Sequence, residues 1–368
     1  MIKILQVVPK LSRDGISTFL LNYLQTICNE ETVFDFICMK IDDSTIVNTV
    51  EKHGGKVFAV PLLSVGKLVK NLCFIISFFY KKRKEYDIIH VHQIGTGFIY
   101  LFIAWIFRIP RRIAHSHSTM YSAIKNKAFV NKIFTKVFLN YATDYWGCSE
   151  VAGKFMFGEK KWNKQGVLIK NAVPISQYAY SENNRVALRE ELNLSSECKI
   201  FLFAGYLNVG KNPFFAFDVF SKIVSEEPDA KLLICGTNYM GEKIFTYLRN
   251  KGIQDNVLLL GARSDIERFY SAADILLFPS LAEGLPFTVI EAQVSGLPCL
   301  ISDRITEEVV ILDTTIRYPL EKGAAAWANQ AKQMLNKCRE TGEKQIKLSG
   351  YDIVTAGKRL QNLYSLKN

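Results

Sequence analysis

Short apolar runs alternate with longer amphipathic stretches along this chain, and the alternation occurs twice. In the first half, IKILQVV (2–8), DFICMKI (35–41), KVFAV (56–60), DIIHVH (87–92) and RIAHSH (112–117) have the length and Ile/Val content of buried strands. Ser17 to Cys28, Ser44 to His53, Val65 to Lys84, Gly97 to Phe107 and Asn126 to Asn140 have helical spacing between them. Strands that are apolar on both faces and joined by helices predict parallel βαβ units and a doubly wound sheet.

The polar stretch 171–197 interrupts this pattern with Pro, Ser and Asn, and marks a domain boundary. Within it, Val186 to Leu192 predicts one short helix. The alternation restarts with KIFLFAGYL (199–207), AKLLICG (230–236), NVLLLG (256–261), DILLFPS (274–280) and PCLISD (298–303). The expected α/β architecture is therefore two Rossmann-like domains, 1–171 and 172–349, facing a central cleft. A last helix within 350–368 is expected to pack back on the first domain. In open α/β sheets ligands bind at the carboxyl ends of the strands, so the loops there are the candidate site.

Composition narrows the function classes. Of the 368 residues 49% are hydrophobic and 22% charged, which excludes a mainly disordered chain. No apolar run reaches the ~18–20 residues that cross a bilayer. MIKILQVVP reads as a strand and not a signal peptide, so a cytoplasmic protein is expected. The eight cysteines show no CxxC spacing, and the five histidines show no zinc-like spacing. No cofactor and no metal are expected. Residues 1–171 hold 24 Lys+Arg against 12 Asp+Glu, while the remainder holds 22 against 23. The basic excess belongs to the first half alone.

The densest chemistry lies in FPSLAEGLPFTVIEAQVSGLPCLISD, residues 278–303. Glu283 falls in a loop after a strand, GLP turns the chain, and Phe287 to Val294 reads as a helix carrying Glu291. Gly284 and Leu285 would present backbone N–H groups at that helix start. Two carboxylates so placed can each accept paired hydrogen bonds from a vicinal diol. On residue types alone, a helix-capping Glu283 and a solvated Glu291 fit equally well.

EGLPFTVIEA, after a strand ending in PS and before SGLP, resembles the donor-binding signature of glycosyltransferase family 4. Its members are retaining, metal-independent transferases of the GT-B fold. The resemblance runs through most of the chain, in IKILQVV…DGISTFLLNYL, DIIHVHQ, AHSHS, IKNAVPISQY, FAGYLNVGKNPFFAF and LLGARSDIERFYSAADILLFPS. The SGLPCLISDRITEEV continuation is similar to bacterial capsular and exopolysaccharide members.

The resemblance implies a role for each matching residue. Glu283 and His117 would meet the donor sugar as the catalytic pair, and Glu291 the nucleotide ribose. Lys211 would neutralise the diphosphate, with Gly15 admitting a phosphate to the first helix start. Gly236 and Arg263 would flank the base. Tyr206 stands where the family usually has an arginine, a neutral donor in place of a charged fork. His90 and His115 read from the residues as core histidines satisfied by backbone; His115 points the same way as His117 on its strand, and His90 and His92 form a second such pair.

The implied function is transfer of a sugar, expected from a UDP sugar, to a saccharide or polyprenyl-diphosphate-linked saccharide acceptor. The runs 72–80 and 98–107, each followed by cations, fit either buried crossover helices or a face on an anionic membrane. The scattered basic residues lack a stacking groove for nucleic acid. A sugar-nucleotide epimerase, a donor-binding protein without turnover and a membrane-surface scaffold remain alternatives.

Overall fold

The computed structural model describes residues 1–28, 31–61, 68–122, 125–337, 339 and 342–366. Cys338 and the start of the expected Val65 to Lys84 helix lie outside the described residues. The chain divides into two compact units, one of residues 1–172 with 353–368 and one of 173–352.

The first unit is built on a parallel seven-stranded sheet. Its strands are β1 Ile2–Val8, β2 Thr32–Cys38, β3 Val57–Ala59, β4 Ile88–Val91, β5 Arg111–Ser116, β6 Asp144–Gly147 and β7 Gly166–Leu168, in the order β3-β2-β1-β4-β5-β6-β7. Chain order reverses between β1 and β4. One face carries Leu5, Val7, Ile89, Val91 and Ala114, which pack with Ile75, Phe79, Leu101 and Ile103 of the helices Leu68–Lys82 and Ile99–Ile106. The opposite face carries a polar patch of Gln6, His90, His92 and His115, all buried, among apolar residues such as Ile4, Ile88 and Ile113. The helices Gly15–Ile27 and Ile353–Ser365 pack together in this unit, and Tyr364 reaches the polar patch. A Cβ on Gly357 would meet Thr26 Cγ2 at 2.5 Å, so only glycine lets these helices approach so closely.

Three strands were not expected from the sequence. DYWG and GVL in β6 and β7 are too short to show periodicity, and each holds a glycine. β13 of the second unit, Thr315–Tyr318, contains Arg317. β2 begins three residues before its expected start, because the charged Asp35 hides the strand pattern. That carboxylate is buried yet satisfied by Lys3 Nζ at 3.0 Å, Tyr86 Oη at 2.9 Å and the Lys56 amide at 2.8 Å.

The second unit is a parallel six-stranded sheet of β8 Ile200–Ala204, β9 Lys231–Cys235, β10 Val257–Leu259, β11 Ile275–Phe278, β12 Cys299–Ser302 and β13, in the order β10-β9-β8-β11-β12-β13. Its reversal lies between β8 and β11. Phe201, Phe203, Leu232, Leu277 and Leu300 pack with Phe217, Phe220, Trp327 and Ala331 of the covering helices Pro213–Val224 and Gly323–Met334. Asp274, just before β11, accepts from the Ile200 amide at 2.8 Å and pairs with Arg185 and Arg189 at 2.7 and 3.0 Å. These bonds tie the helix Glu182–Glu191, three residues longer than expected, to the sheet.

Candidate functional site

In the second unit the loops after β8 and β11 meet where the strand order reverses, the usual place for a ligand in an open parallel sheet. The β8 loop, GYLNVGKN, is held by its own side chains. Asn208 Oδ1 accepts from the Lys211 amide at 3.0 Å, and Asn212 takes a left-handed turn at φ 56° before Pro213 opens the next helix. The two loops are stitched by the Leu281 amide donating to Gly210 O at 2.8 Å and by Asn212 Nδ2 donating to Pro279 O at 3.3 Å. This fixes Lys211 against the loop that holds Glu283. The ammonium lies 2.7 Å from Glu283 Oε1 and 4.6 Å from the centre of the Phe278 ring. Both side chains remain partly exposed, so the pair can exchange partners with a ligand.

Gly284, Leu285 and Pro286 are buried and lead into the helix Phe287–Val294. That helix is buried nearly throughout. Gln293 holds it in place, donating to Val309 O at 2.7 Å and accepting from the Leu312 amide at 3.0 Å. Glu291 is therefore not on a solvated face; it is 7% exposed. Tyr270 Oη donates to its Oε2 at 2.7 Å. Burial pushes the carboxyl up to about 7, against the hydrogen bonds from Tyr270 and Tyr178 that pull it down. A carboxylate held near neutrality with lone pairs to spare suits a ligand that brings hydroxyl donors.

Tyr206 and Tyr239 meet edge to face, with ring centres 5.1 Å apart. Gly236 is required for packing: a Cβ there would lie 1.9 Å from Gly205 O. Its amide donates to Gly261 O at 2.7 Å, which joins the two loops expected to flank a base. Arg263 forms a two-pronged ion pair with Asp265 at 2.9 and 2.8 Å and lies over the Phe269 ring.

The remaining candidates, Gly15 and His117, belong to the first unit. Gly15 opens the helix Gly15–Ile27 and is exposed. Asp14 caps that helix, accepting from the Ser17 amide at 3.0 Å. A carboxylate at the cap already satisfies one of the donors that a phosphate would use, and repels an anion.

His117 follows β5, and its Nε2 lies 2.8 Å from His92 Nδ1. His92 Nε2 meets Gln6 Oε1 at 2.8 Å, while His90 bridges Tyr364 Oη at 2.7 Å and His115 Nδ1 at 3.1 Å. The core histidines are thus satisfied by side chains, not backbone, and His115 Nε2 has no partner among the described residues. Burial holds His90, His92 and His115 well below the usual imidazole value and brings His117 down to about 3. The fold also gathers ring nitrogens of His90, His92 and His115 within 4.8 Å of one another, a proximity that sequence spacing did not reveal. The available signal was the pair of His-x-His segments on two successive strands, which places four rings on one face once β4 and β5 are neighbours. Gln6 and Tyr364 carried no such signal.

The chain resembles known glycosyltransferases in sequence and known structures in fold. Residues 184–348, which contain Lys211, Glu283 and Glu291, match the family described as Glycosyl transferases group 1. Over 379 aligned residues the chain is 27% identical to the putative glycosyltransferase EpsF of Bacillus subtilis, covering 99% of this chain and 96% of that protein. It is 26% identical to the Escherichia coli UDP-Gal:alpha-D-GlcNAc-diphosphoundecaprenol alpha-1,3-galactosyltransferase, over 81% of this chain and 78% of that one. The fold matches the crystal structure of Anabaena HepE in complex with UDP and glucose, with a TM-score of 0.79 at 16% identity over the whole of both chains. Two Rossmann-like units of this topology, the second matching glycosyl transferases group 1 over 184–348, make the chain a glycosyltransferase of the GT-B fold.

Proposed function

We propose that this chain transfers a sugar from a UDP sugar to a lipid-linked, diphosphate-bearing saccharide during assembly of a surface polysaccharide, with retention at the anomeric carbon and no metal. The observation that carries the donor half is the Lys211–Glu283 contact at the strand reversal of the second unit. A donor would divide that pair, its diphosphate taking the ammonium and its sugar hydroxyls the carboxylate. Glu291 would accept from the ribose hydroxyls, and Gly284 and Leu285 would turn the helix start toward the phosphates. Gly236 and Arg263 would border the base, and by resemblance His117 would meet the sugar.

As the bond from the anomeric carbon to the diphosphate breaks, charge moves onto the leaving phosphate and the sugar acquires oxocarbenium character. Lys211 stabilises the former. The acceptor oxygen attacks on the same face, and its proton passes to the departing diphosphate.

The acceptor half rests on the first unit's surface. Residues 88–143 contain no Asp or Glu but seven Lys and Arg. Within them the helix Lys125–Phe138 exposes Phe129, Val130, Ile133 and Val137 beside Lys125, Lys127, Lys132 and Lys136. Trp105 and Ile106 of a neighbouring helix are about half exposed. Such a face suits an anionic bilayer that presents the acceptor. No described helix is long and apolar enough to cross a membrane. The expected runs 72–80 and 98–107 are split between buried Ile75, Phe79, Leu101 and Ile103 and exposed Phe74, Ile76, Tyr80, Trp105 and Ile106.

The test is incubation of the chain with a panel of UDP sugars and a lipid diphosphate saccharide, with and without chelator. Transfer that persists in chelator, with the donor's anomeric configuration in the product, is the expected result. Conversion of the nucleotide sugar without acceptor would point to epimerisation, and UDP binding without turnover to a donor-binding protein.

A further inference from the structure

The polar patch of the first sheet holds an unbroken file of hydrogen-bonding side chains drawn from β1, the β4 and β5 ends and the last helix. It runs from His117 Nε2 to His92 Nδ1 at 2.8 Å, then from His92 Nε2 to Gln6 Oε1 at 2.8 Å. It continues from Gln6 Nε2 to Tyr364 Oη at 3.4 Å, on to His90 Nδ1 at 2.7 Å, and ends with His90 Nε2 and His115 Nδ1 at 3.1 Å. Gln6, His90, His92 and His115 are no more than 1% exposed, whereas His117 is partly exposed.

The direction of this file follows from its one fixed acceptor. A carbonyl oxygen cannot donate, so where Gln6 presents Oε1, His92 Nε2 carries the proton. A neutral imidazole has only one N–H, so His92 Nδ1 is an acceptor and His117 Nε2 must donate to it. The proton of His117 is then committed inward. Its second ring nitrogen, Nδ1, has no hydrogen-bond partner among the described residues and is a bare lone pair.

We infer that Gln6 and His92 are positioning residues that lock His117 in its Nε2–H tautomer, making Nδ1 an obligatory acceptor for a hydroxyl of the donor sugar. This rests on the reading that His117 meets that sugar. It assigns the site a chemical demand: the sugar must offer a hydroxyl proton there, and a group that only accepts is refused. Tyr364 holds the far end of Gln6, so the last helix helps to set the orientation of the amide. Holding a metal with His90, His92 and His115 would require these rings to surrender the same bonds.

Nitrogen NMR of imidazole-labelled full-length chain reads the tautomers directly, with His117→Ala used to assign the ring. The expected spectrum shows His117 protonated at Nε2 and bare at Nδ1. Gln6→Met, which removes the acceptor, should mix the two tautomers and lower kcat roughly tenfold, with the donor KM changed less than about twofold. Gln6→Glu, which keeps an acceptor at that position, should restore both the tautomer and most of kcat. A wild-type ring protonated at Nδ1, as a reversed Gln6 amide would impose, overturns the inference. So does a Gln6→Met ring that keeps its tautomer while kcat falls. Ring signals that shift with added zinc and lose their tautomer pattern would replace it with a metal site. Full activity in His117→Ala would instead overturn the reading of His117 as a sugar contact, which separates the two failures.

Discussion

Lys211 Nζ lies 2.7 Å from Glu283 Oε1, joining two loops whose residues are 72 apart in sequence. Under the proposed donor binding, this ion pair joins the cation for the diphosphate to the carboxylate for the sugar. Removing the carboxylate should free the lysine for phosphate. Glu283→Gln is expected to bind UDP several-fold more tightly by calorimetry while transfer from a UDP sugar falls at least a hundredfold. Lys211→Ala should weaken both, with turnover reduced on the order of 10²–10³-fold by loss of leaving-group stabilisation. Unchanged UDP affinity in both variants would place the diphosphate elsewhere.

The proposed ribose contact at Glu291 predicts nucleotide binding that depends on pH. Its carboxyl is raised from 4.5 to about 7 in the folded chain, and burial is the first cause. A ribose diol donates to the ionised form, so UDP affinity should rise as pH increases through about 7, with proton release on binding. The free protein shows the opposite trend. The folded state holds this proton more tightly than the unfolded state, so the contribution to stability is full below about 4.5 and lost as pH rises through about 7. The difference is on the order of 3 kcal/mol at most. Glu291→Gln should flatten both profiles, read by calorimetry and by thermal melts between pH 5 and 8.

Tyr206 supplies a neutral ring, packed on Tyr239 with centres 5.1 Å apart, where a guanidinium is expected by resemblance. Tyr206→Arg should tighten UDP-sugar binding about tenfold or more, the scale of one charge-assisted hydrogen bond. A loss of affinity would mean that the tyrosine pair itself recognises the donor.

The exposed helix Lys125–Phe138 should govern attachment to anionic vesicles. Lys132→Glu with Lys136→Glu is expected to weaken sedimentation with phosphatidylglycerol vesicles by tenfold or more, since each cation near such a surface contributes roughly 1 kcal/mol. Phe129→Ser should lower binding without altering its salt dependence. Equal binding of wild type and double variant would remove this face from the membrane.

Both parallel sheets were legible because their central strands are continuous Ile, Val and Leu runs between helical patterns. β6, β7 and β13 were not, since a glycine in each of the first two and Arg317 in the third break the apolar run. Among site residues, Glu283 and Glu291 stood out by spacing and by resemblance, and Lys211 by resemblance alone. Their partners did not: an ion pair between positions 211 and 283 depends on how two loops are stitched, and the tyrosines around Glu291 come from separate segments. Gln6 looked like one polar interruption in an apolar strand, and Tyr364 like the edge of an amphipathic helix. Only the pairing of β1 with β4, and the return of the last helix, brought them to the histidines.

That return has a consequence for how the protein is made. Arg111 Nη1 donates to Leu363 O at 2.6 Å while its Nη2 pairs with Asp144 Oδ1 at 2.7 Å, so the first sheet grips the last helix. During synthesis, the ribosome finishes every strand of this sheet long before Tyr364 leaves the exit tunnel. The nascent first unit must wait with His90 and Gln6 lacking their Tyr364 partner while about 180 further residues are added, at ~5–20 residues per second. Its maturation is thus timed by the completion of its neighbour, and a chain cut short near its end loses the older unit's final layer, not the newer one's.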